Sequence, residues 1–360
     1  MSQIFSPLSF TRGPALPNRL ALAPLTNQQS HRDGTLSDEE FSWLTARAYA
    51  GFGMTMTCAA HIHPAGQGFA GQLGVYANTH IPGLTRLTAA IKAAGSVSAI
   101  QLHHAGLRAD TSLVDKLVSS SDDPRSGARG LTADEVEHCV DDFIAAAQRA
   151  EGAGFDGAEL HAAHGYLLAQ FLSPDLNRRT DKFGGTAARR AIILYEIING
   201  IRRVCGGNFQ LGLRLSTERY GIRFGETLEL VQSLFDCNQL DYIDLSLWDV
   251  TKKPEDPQYQ HATILSQFAQ LRRGATRLSC AGKIHDVETI ENALSEGADF
   301  VKIGRAAILH HDFPLRIKKD RAFRPIPLPV SRSYLKGEKL SVPFINYLAT
   351  MPGFLADAVE

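Results

Sequence analysis

The stretch Asp156-Gly-Ala-Glu-Leu-His161-Ala-Ala-His164-Gly-Tyr166 decides how the chain is read. It predicts a short buried strand, Gly157 to Leu160, that stops at a cluster of polar, aromatic and glycine residues. Two imidazoles and a phenol just past a strand end are placed to point into one pocket. Imidazole N–H groups grip a developing oxyanion, and a nearby phenol delivers a proton. Surface loops also collect His and Tyr by chance. Three in this order, continuing through Gln170, Pro174, Asn177 and Arg178 to Asp181 and Gly184-Gly185, mark a site instead.

Outward from this strand, apolar β-rich runs alternate with amphipathic helical patterns. The runs are Leu20–Ala23, Met54–Cys58, Val97–Gln101, Gly157–Leu160, Gln210–Leu215, Tyr242–Leu245, Thr276–Cys280 and Phe300–Ile303. Helical patterns lie near 38–50, 80–94, 132–151, 187–204, 226–237, 261–273, 286–296 and 305–310. Ser37-x-x-Glu40 and Thr132-x-x-Glu135 have the form of capping boxes. Strands that are apolar throughout, each followed by a helix, require a parallel sheet covered on both faces. Eight such units predict a closed α/β barrel of the TIM (β/α)8 kind rather than an open sheet. With no linker or composition shift, residues 1–360 read as a single domain.

Three excursions interrupt the repeat: a polar loop at 103–130, a segment at 248–260, and a proline-rich tail at 324–360 with an apolar patch of Phe344, Ile345, Tyr347 and Leu348. Loops after barrel strands form the active-site face. The first two are lid candidates, and the tail has two places to go, the barrel mouth or a neighbouring subunit in a homodimer.

Composition narrows the function classes. A net charge of −1 gives no attraction to nucleic acid or to an anionic membrane surface. No window approaches the ~18 apolar residues of a spanning helix. Met1 to Arg19 lacks the layout of a secretory signal, so a cytoplasmic protein is expected. The five cysteines, Cys58, Cys139, Cys205, Cys237 and Cys280, are scattered and form no Cys-x-x-Cys pair. That argues against a disulfide framework, a zinc site or an iron–sulfur cluster. Cys58 and Cys280, at the ends of apolar runs, read as core thiols.

Unusual polar residues fall at the strand C-termini. Pro24-Leu25-Thr26-Asn27-Gln28 follows the first strand, Cys58-Ala59 ends the second, and Gln101 ends the third, followed by His103-His104. Arg214 lies inside the apolar fifth strand with Ser216 after it, and a buried guanidinium must find an anion or an electron-rich acceptor. A structural ion pair would satisfy it equally well. In the last two units Gly282 follows Cys280-Ala281, and Gly304-Arg305 follows Val301-Lys-Ile303. Barrel enzymes hold a phosphate at this place, on backbone N–H groups and a short helix, with an arginine adding a bidentate contact. Gly66-Gln-Gly68-Phe-Ala-Gly71 matches a dinucleotide fingerprint by letters only, because it opens no helix.

These residues together resemble the old yellow enzyme family of FMN-dependent NAD(P)H oxidoreductases, many of them ene reductases. The resemblance covers residues 4 to about 320 and rests on Pro24-Leu25-Thr26, Gln101-Leu-His-His-Ala-Gly106, the 156–185 stretch, Arg214-Leu-Ser216 and Gly304-Arg305. It implies that Ala23, Pro24, Thr26 and Ala59 line the isoalloxazine, with Gln101 on its pyrimidine edge and Arg214 by N1 and O2. It implies further that Gly282, Gly304 and Arg305 hold the phosphate, that His161 and His164 bind the substrate oxygen, and that Tyr166 donates the proton. NAD(P)H would be the hydride donor, and an electron-poor alkene the acceptor. The chain departs from the family in three places. Asn27-Gln28 stands where many single-barrel members carry a tyrosine, His103 where a small residue is common, and Leu107 where arginine is common. These departures bear on substrate range.

Three other readings compete: an FMN reductase with a nitro, quinone or dienoyl ester acceptor, a flavin-binding sensor without turnover, and a metal-dependent barrel hydrolase built on His61, His63, His103, His104, His161 and His164. The hydrolase needs acidic ligands at other strand ends. Strands five and seven offer Arg214 and Cys280, so no metal site is expected.

Overall fold

The apolar runs pair in parallel because every return to the sheet passes through a helical crossover. In a computed structural model, which describes residues 3–356, they close into a barrel. Its strands are β1 Leu20–Leu22, β2 Met54–His61, β3 Val97–His103, β4 Gly157–Ala162, β5 Gln210–Leu215, β6 Tyr242–Ser246, β7 Arg277–Ala281 and β8 Phe300–Ile303. Each bonds its sequence neighbours, and β8 closes on β1 through Leu20 opposite Val301 and Leu22 opposite Ile303. The outer ring is α1 Asp38–Tyr49, α2 Ile81–Ala93, α3 Ala133–Gly152, α4 Ile192–Val204, α5 Phe224–Asp236, α6 Ile264–Ala269, α7 Val287–Ser295 and α8 Arg305–Leu309. Among the described residues, no helix is long and apolar enough to cross a membrane.

Boundaries shift where backbone pairing outlasts hydrophobicity. The predicted second strand stops at Cys58, yet β2 runs to His61 because Ala59, Ala60 and His61 pair with Gln101, Leu102 and His103. A register shift between Met56 and Ala59 accompanies this. The fourth strand likewise continues past Leu160, with His161 opposite Arg214 and Ala162 opposite Leu215. Hydropathy ends at the first polar side chain, but a ladder needs only N–H and C=O groups. The predicted helix at 187–204 breaks at Ala191 into Ala187–Arg190 and α4. The pattern at 261–273 contracts to α6, because Thr263 caps that helix by accepting the Ser266 N–H.

Of the two predicted capping boxes, Thr132 and Glu135 form both halves. Ser37 caps α1, but the Glu40 side chain does not reach back; it is buried and accepts from Asn27 Nδ2 at 3.0 Å and from the Ser30 hydroxyl. A carboxylate without water takes the donors at hand, and here they come from the loop after β1. Cys58 and Cys280 pack in the core as expected.

The tail takes the first of its two places. Helix Val342–Ala349 buries Phe344, Ile345 and Leu348, with the Phe344 ring edge-on to Trp43 of α1 at 5.5 Å. Ser341 N–H donates to Gln29 Oε1 at 3.3 Å, and Arg47 Nη2 to the Glu338 carbonyl at 3.0 Å. Phe344, Ile345 and Leu348 of the patch thus pack within their own chain, at the mouth of the barrel. Residues 357–360 of the predicted tail lie outside the described residues.

Candidate active site

At the C-terminal ends of the strands lies a cavity of about 950 Å³. Every residue that the sequence nominates lines it: Ala23, Pro24, Thr26, Ala59, Gln101, His161, His164, Tyr166, Arg214, Gly282, Gly304 and Arg305. Ala59 sits in mid-strand, beside the β2 irregularity, and not at the strand end.

The sharp turn after β4 aims the catalytic candidates. His164 has φ 60°, a left-handed conformation that costs a non-glycine residue about 1–3 kcal/mol, and Gly165 follows at φ 71°. The three rings meet edge to face: His161 and His164 are 5.0 Å apart between centroids, His161 and Tyr166 5.1 Å. The rest of the 156–185 motif is scaffolding for this turn. Gln170 donates to the carbonyls of Gly165 (2.8 Å) and Ala105 (3.2 Å) and accepts from Ser119, clamping the 103–130 loop to the turn. Asn177 Nδ2 bridges the carbonyls of Phe171 (2.7 Å) and Phe183 (2.8 Å).

Hydrogen-bond partners assign the imidazole tautomers. His161 Nδ1 accepts the Ala163 N–H at 3.2 Å, so Nε2 carries the hydrogen of the neutral ring. His164 Nε2 lies 2.7 Å from Ser246 Oγ, which in turn accepts from Arg214 Nη2 at 3.1 Å. With the serine donating to Nε2, as it can while accepting from Arg214, Nδ1 keeps the ring hydrogen. Burial, with Arg214 close by, drives His164 down to about 3, and burial holds His161 well below the ordinary imidazole range. Both rings are neutral donors. Burial raises the Tyr166 phenol, which keeps its proton, although Arg108, 5.4 Å from the ring centroid, pulls the other way.

A connected chain of charged and polar groups runs beneath the cavity, from Gln101 through Glu159, Lys302 and Asp244 to Arg214. Arg214 Nε lies 3.1 Å from Asp244 Oδ2, and Asp244 Oδ1 accepts from the Ser279 hydroxyl at 3.0 Å. Lys302 reaches both Glu159 and Asp244 Oδ2, the latter at 3.2 Å. Gln101 Nε2 donates to Glu159 Oε1 at 2.8 Å. Arg214 thus has the structural ion pair that its sequence position allowed, and it also faces the cavity, where its Nη1 meets no acceptor among the described residues.

These residues suit a flat, electron-accepting ring carrying a phosphate tail. Gln101 turns its amide nitrogen to Glu159, so its carbonyl is left for an N–H in the cavity. A side chain at Gly282 would run into the Leu247 carbonyl, whereas one at Gly304 would find only Leu25 Cδ2, 3.7 Å away. Packing explains the first glycine. The second keeps open a space at the start of α8, beside Arg305, an exposed guanidinium that pairs with no carboxylate among the described residues.

Sequence reasoning missed Ser246, Lys302, Phe69 and Tyr347 as cavity residues. Ser246 ends a strand, as the nominated residues do, and was open to the same argument. Tyr347 reads as part of the tail's apolar patch, and nothing local shows that its phenol lines the cavity together with Thr26. The histidines of the hydrolase reading do not converge as ligands. His61 Nδ1 bonds the His63 carbonyl, His103 Nδ1 faces Gln72 Nε2, and His104 Nδ1 accepts the Gly106 N–H. The site they flank also carries Arg214 and Lys302, which repel a cation.

Residues 3–323 match the family described as NADH:flavin oxidoreductase / NADH oxidase. The chain is 34% identical over 333 residues to a probable NADH-dependent flavin oxidoreductase, YqiG, of Bacillus subtilis (strain 168), covering 88% of each chain. It is 31% identical over 330 residues to an NADH:acrylate oxidoreductase of Vibrio harveyi, spanning 86% of this chain and 32% of that protein. Among solved structures, morphinone reductase in complex with tetrahydroNAD superposes with a TM-score of 0.77 at 27% identity, covering 93% of this chain and 94% of that one.

Proposed function

The chain belongs to the NADH:flavin oxidoreductase / NADH oxidase family, the old yellow enzyme group, and we propose that within it this protein is an ene reductase. It is an FMN-dependent oxidoreductase with NAD(P)H as hydride donor. Its acceptor, on this reading, is a small molecule with an electron-poor C=C bond conjugated to a carbonyl or nitro group. The observation that carries the proposal is the pairing of two neutral imidazole donors with a protonated phenol in one cavity. A flavin protein that only sensed redox state would need no proton donor there.

When bound, FMN supplies the two-electron chemistry, taking hydride from NAD(P)H and passing it to the β-carbon of the alkene. Gln101, Arg214, Ala23, Pro24, Thr26 and Ala59 would hold its ring, and Gly282, Gly304 and Arg305 its phosphate. His161 Nε2–H and His164 Nδ1–H hold the carbonyl oxygen of the acceptor. Their hydrogen bonds strengthen as negative charge gathers on that oxygen, which lowers the barrier to hydride arrival. Because both rings are already neutral donors, no reorganisation of charge precedes the step. Tyr166 O–H gives its proton to the α-carbon, completing addition of H⁻ and H⁺ across the double bond. The phenolate left behind lies beside Arg108, whose charge favours it until solvent returns the proton.

The name of the Vibrio relative, an acrylate oxidoreductase, supports a conjugated alkene as acceptor, and the morphinone reductase likeness supports a nicotinamide as donor. The five unpaired thiols suit a reducing, cytoplasmic setting. The test is anaerobic: reduce the FMN-loaded protein with NADPH or NADH, add cyclohexenone, and follow flavin absorbance. Bleaching and recovery support the reading; bleaching without recovery moves the function to a nitro, quinone or dienoyl ester acceptor.

A further inference from the structure

Lys302 is the least expected residue of the barrel interior. It stands opposite Ala21 in β8, and its side chain has no exposure to solvent. Taking an ammonium out of water costs several kcal/mol even in a relaxed protein. Here it is held by Glu159 from β4 and Asp244 from β6, both likewise unexposed, and lies 5.4 Å from the Tyr242 ring centroid. Well-packed apolar residues commonly serve stability as well as such a cluster does, so its presence asks for another reason.

The hydrogen-bond directions supply one. Glu159 bonds through both oxygens: Oε2 takes Lys302, and Oε1 takes Gln101 Nε2 at 2.8 Å. Burial raises the Glu159 carboxyl above its ordinary value, and the adjacent ammonium pulls the other way, favouring the anion, which only accepts. Gln101 must then turn its NH2 toward Glu159 and its carbonyl into the cavity. Without the ammonium, the buried carboxylate gains a proton and becomes a donor as well. A donor opposite Gln101 permits the amide to turn over, which would present NH2 where the carbonyl now stands.

We propose that Lys302 is a positioning residue that, by keeping Glu159 an acceptor, fixes the Gln101 amide with its carbonyl toward the bound flavin. The role rests on the FMN reading above. Asp244 steadies the ammonium from the other side, and the ligand chemistry selected is an imide-type N–H, as the pyrimidine edge of a flavin carries.

The experiment is a double-mutant cycle on FMN binding to cofactor-stripped protein, read by flavin fluorescence, with thermal unfolding to confirm that each variant folds. The variants are Lys302→Met, Gln101→Ala and the pair. Lys302→Met is expected to weaken FMN binding tenfold or more, and to weaken it at least threefold less when Gln101 is already alanine, since interacting groups are not additive. A coupling below threefold overturns the proposal, because a merely structural lysine lowers affinity equally in both backgrounds. Should Lys302→Met not fold, Lys302→Gln, which removes the charge and keeps a donor, goes through the same cycle under the same threefold criterion. Wild-type protein that binds no FMN would overturn the cofactor reading itself. Binding by wild type with no coupling overturns the role of Lys302 alone.

Discussion

Ser246 Oγ lies 2.7 Å from His164 Nε2 and 3.1 Å from Arg214 Nη2, joining the side chain proposed to meet the substrate to the one proposed to meet the cofactor. With the serine as donor, the bond puts the ring hydrogen of His164 on Nδ1. Ser246→Ala should loosen that choice and weaken phenol binding by about two- to tenfold, the worth of one hydrogen bond. The charge-transfer band of phenol with the loaded protein reads it. An unchanged dissociation constant would mean that the serine does not set the tautomer.

Tyr166→Phe removes the phenolic proton and keeps the ring that packs against His161 and His103. Stopped-flow absorbance should show alkene reduction slowed by roughly 10²–10⁴, the usual span for a lost proton donor, with reduction by NAD(P)H nearly unchanged. Equal loss in both half-reactions would remove Tyr166 from the proton-donor role.

Arg214→Met takes away the cation that faces the cavity with Nη1 unpartnered among the described residues, and leaves Asp244 with Lys302 and the Ser279 hydroxyl. The flavin potential should fall by roughly 30–60 mV, since a charged hydrogen bond is worth about 1.5–3 kcal/mol and 30 mV of a two-electron couple corresponds to about 1.4 kcal/mol. Xanthine oxidase titration against a reference dye measures it. A potential that does not move would place the arginine away from the charged edge of the ring.

The barrel was legible because its strands are apolar on both faces, a consequence of being covered inside and out, so each announces itself without tertiary information. The nominated site residues were legible because they stand next to those runs. Legibility failed where contact is made across sequence. Glu40 turns from its capping box to Asn27 and Ser30 because folding brings those donors to it. Lys302 hides inside Phe300–Ile303, where the letters show only a lysine in a strand and not the Glu159 and Asp244 that surround it. Ladders past the first polar residue, as at His61, His103 and His161, are set by the neighbouring strand and leave no hydropathic mark.

Burial holds several histidines below the ordinary value of 6.5: His61 at about 4, His104 and His164 at about 3, His103 and His161 well below the usual range. Each is neutral when folded and takes a proton when unfolded below pH ~6.5. The unfolded chain then binds more protons, so stability rises with pH through this window and is lost as pH falls from about 7 towards 4. The slope is on the order of 1 kcal/mol per pH unit for each such ring. Calorimetry in buffers of different ionisation enthalpy should show proton uptake on unfolding at pH 5.5. Proton release there would mean that the rings are charged in the folded state.

Tyr347 brings a second phenol to the cavity from the far end of the chain. Its neighbours Phe344, Ile345 and Leu348 fasten the helix to the barrel, and its phenol lines the cavity together with Thr26 just after β1. Where the family resemblance leads to the expectation of a tyrosine after the first strand, the chain carries Asn27-Gln28, and Tyr347 brings a phenol to the cavity from the tail. Asn27 is not free to serve instead, being committed to Glu40 and to the Gln29 N–H. Tyr347→Phe keeps the ring and removes its hydroxyl. Reduction by NAD(P)H should stay within about twofold, while kcat/KM should change several-fold for some acceptors and not for others, as expected when one hydrogen bond worth about 1 kcal/mol is lost from a specificity contact. A panel of enones, nitroalkenes and acrylates measures it. A uniform change across the panel would assign Tyr347 to holding the tail in place, and no change at all would remove it from the site.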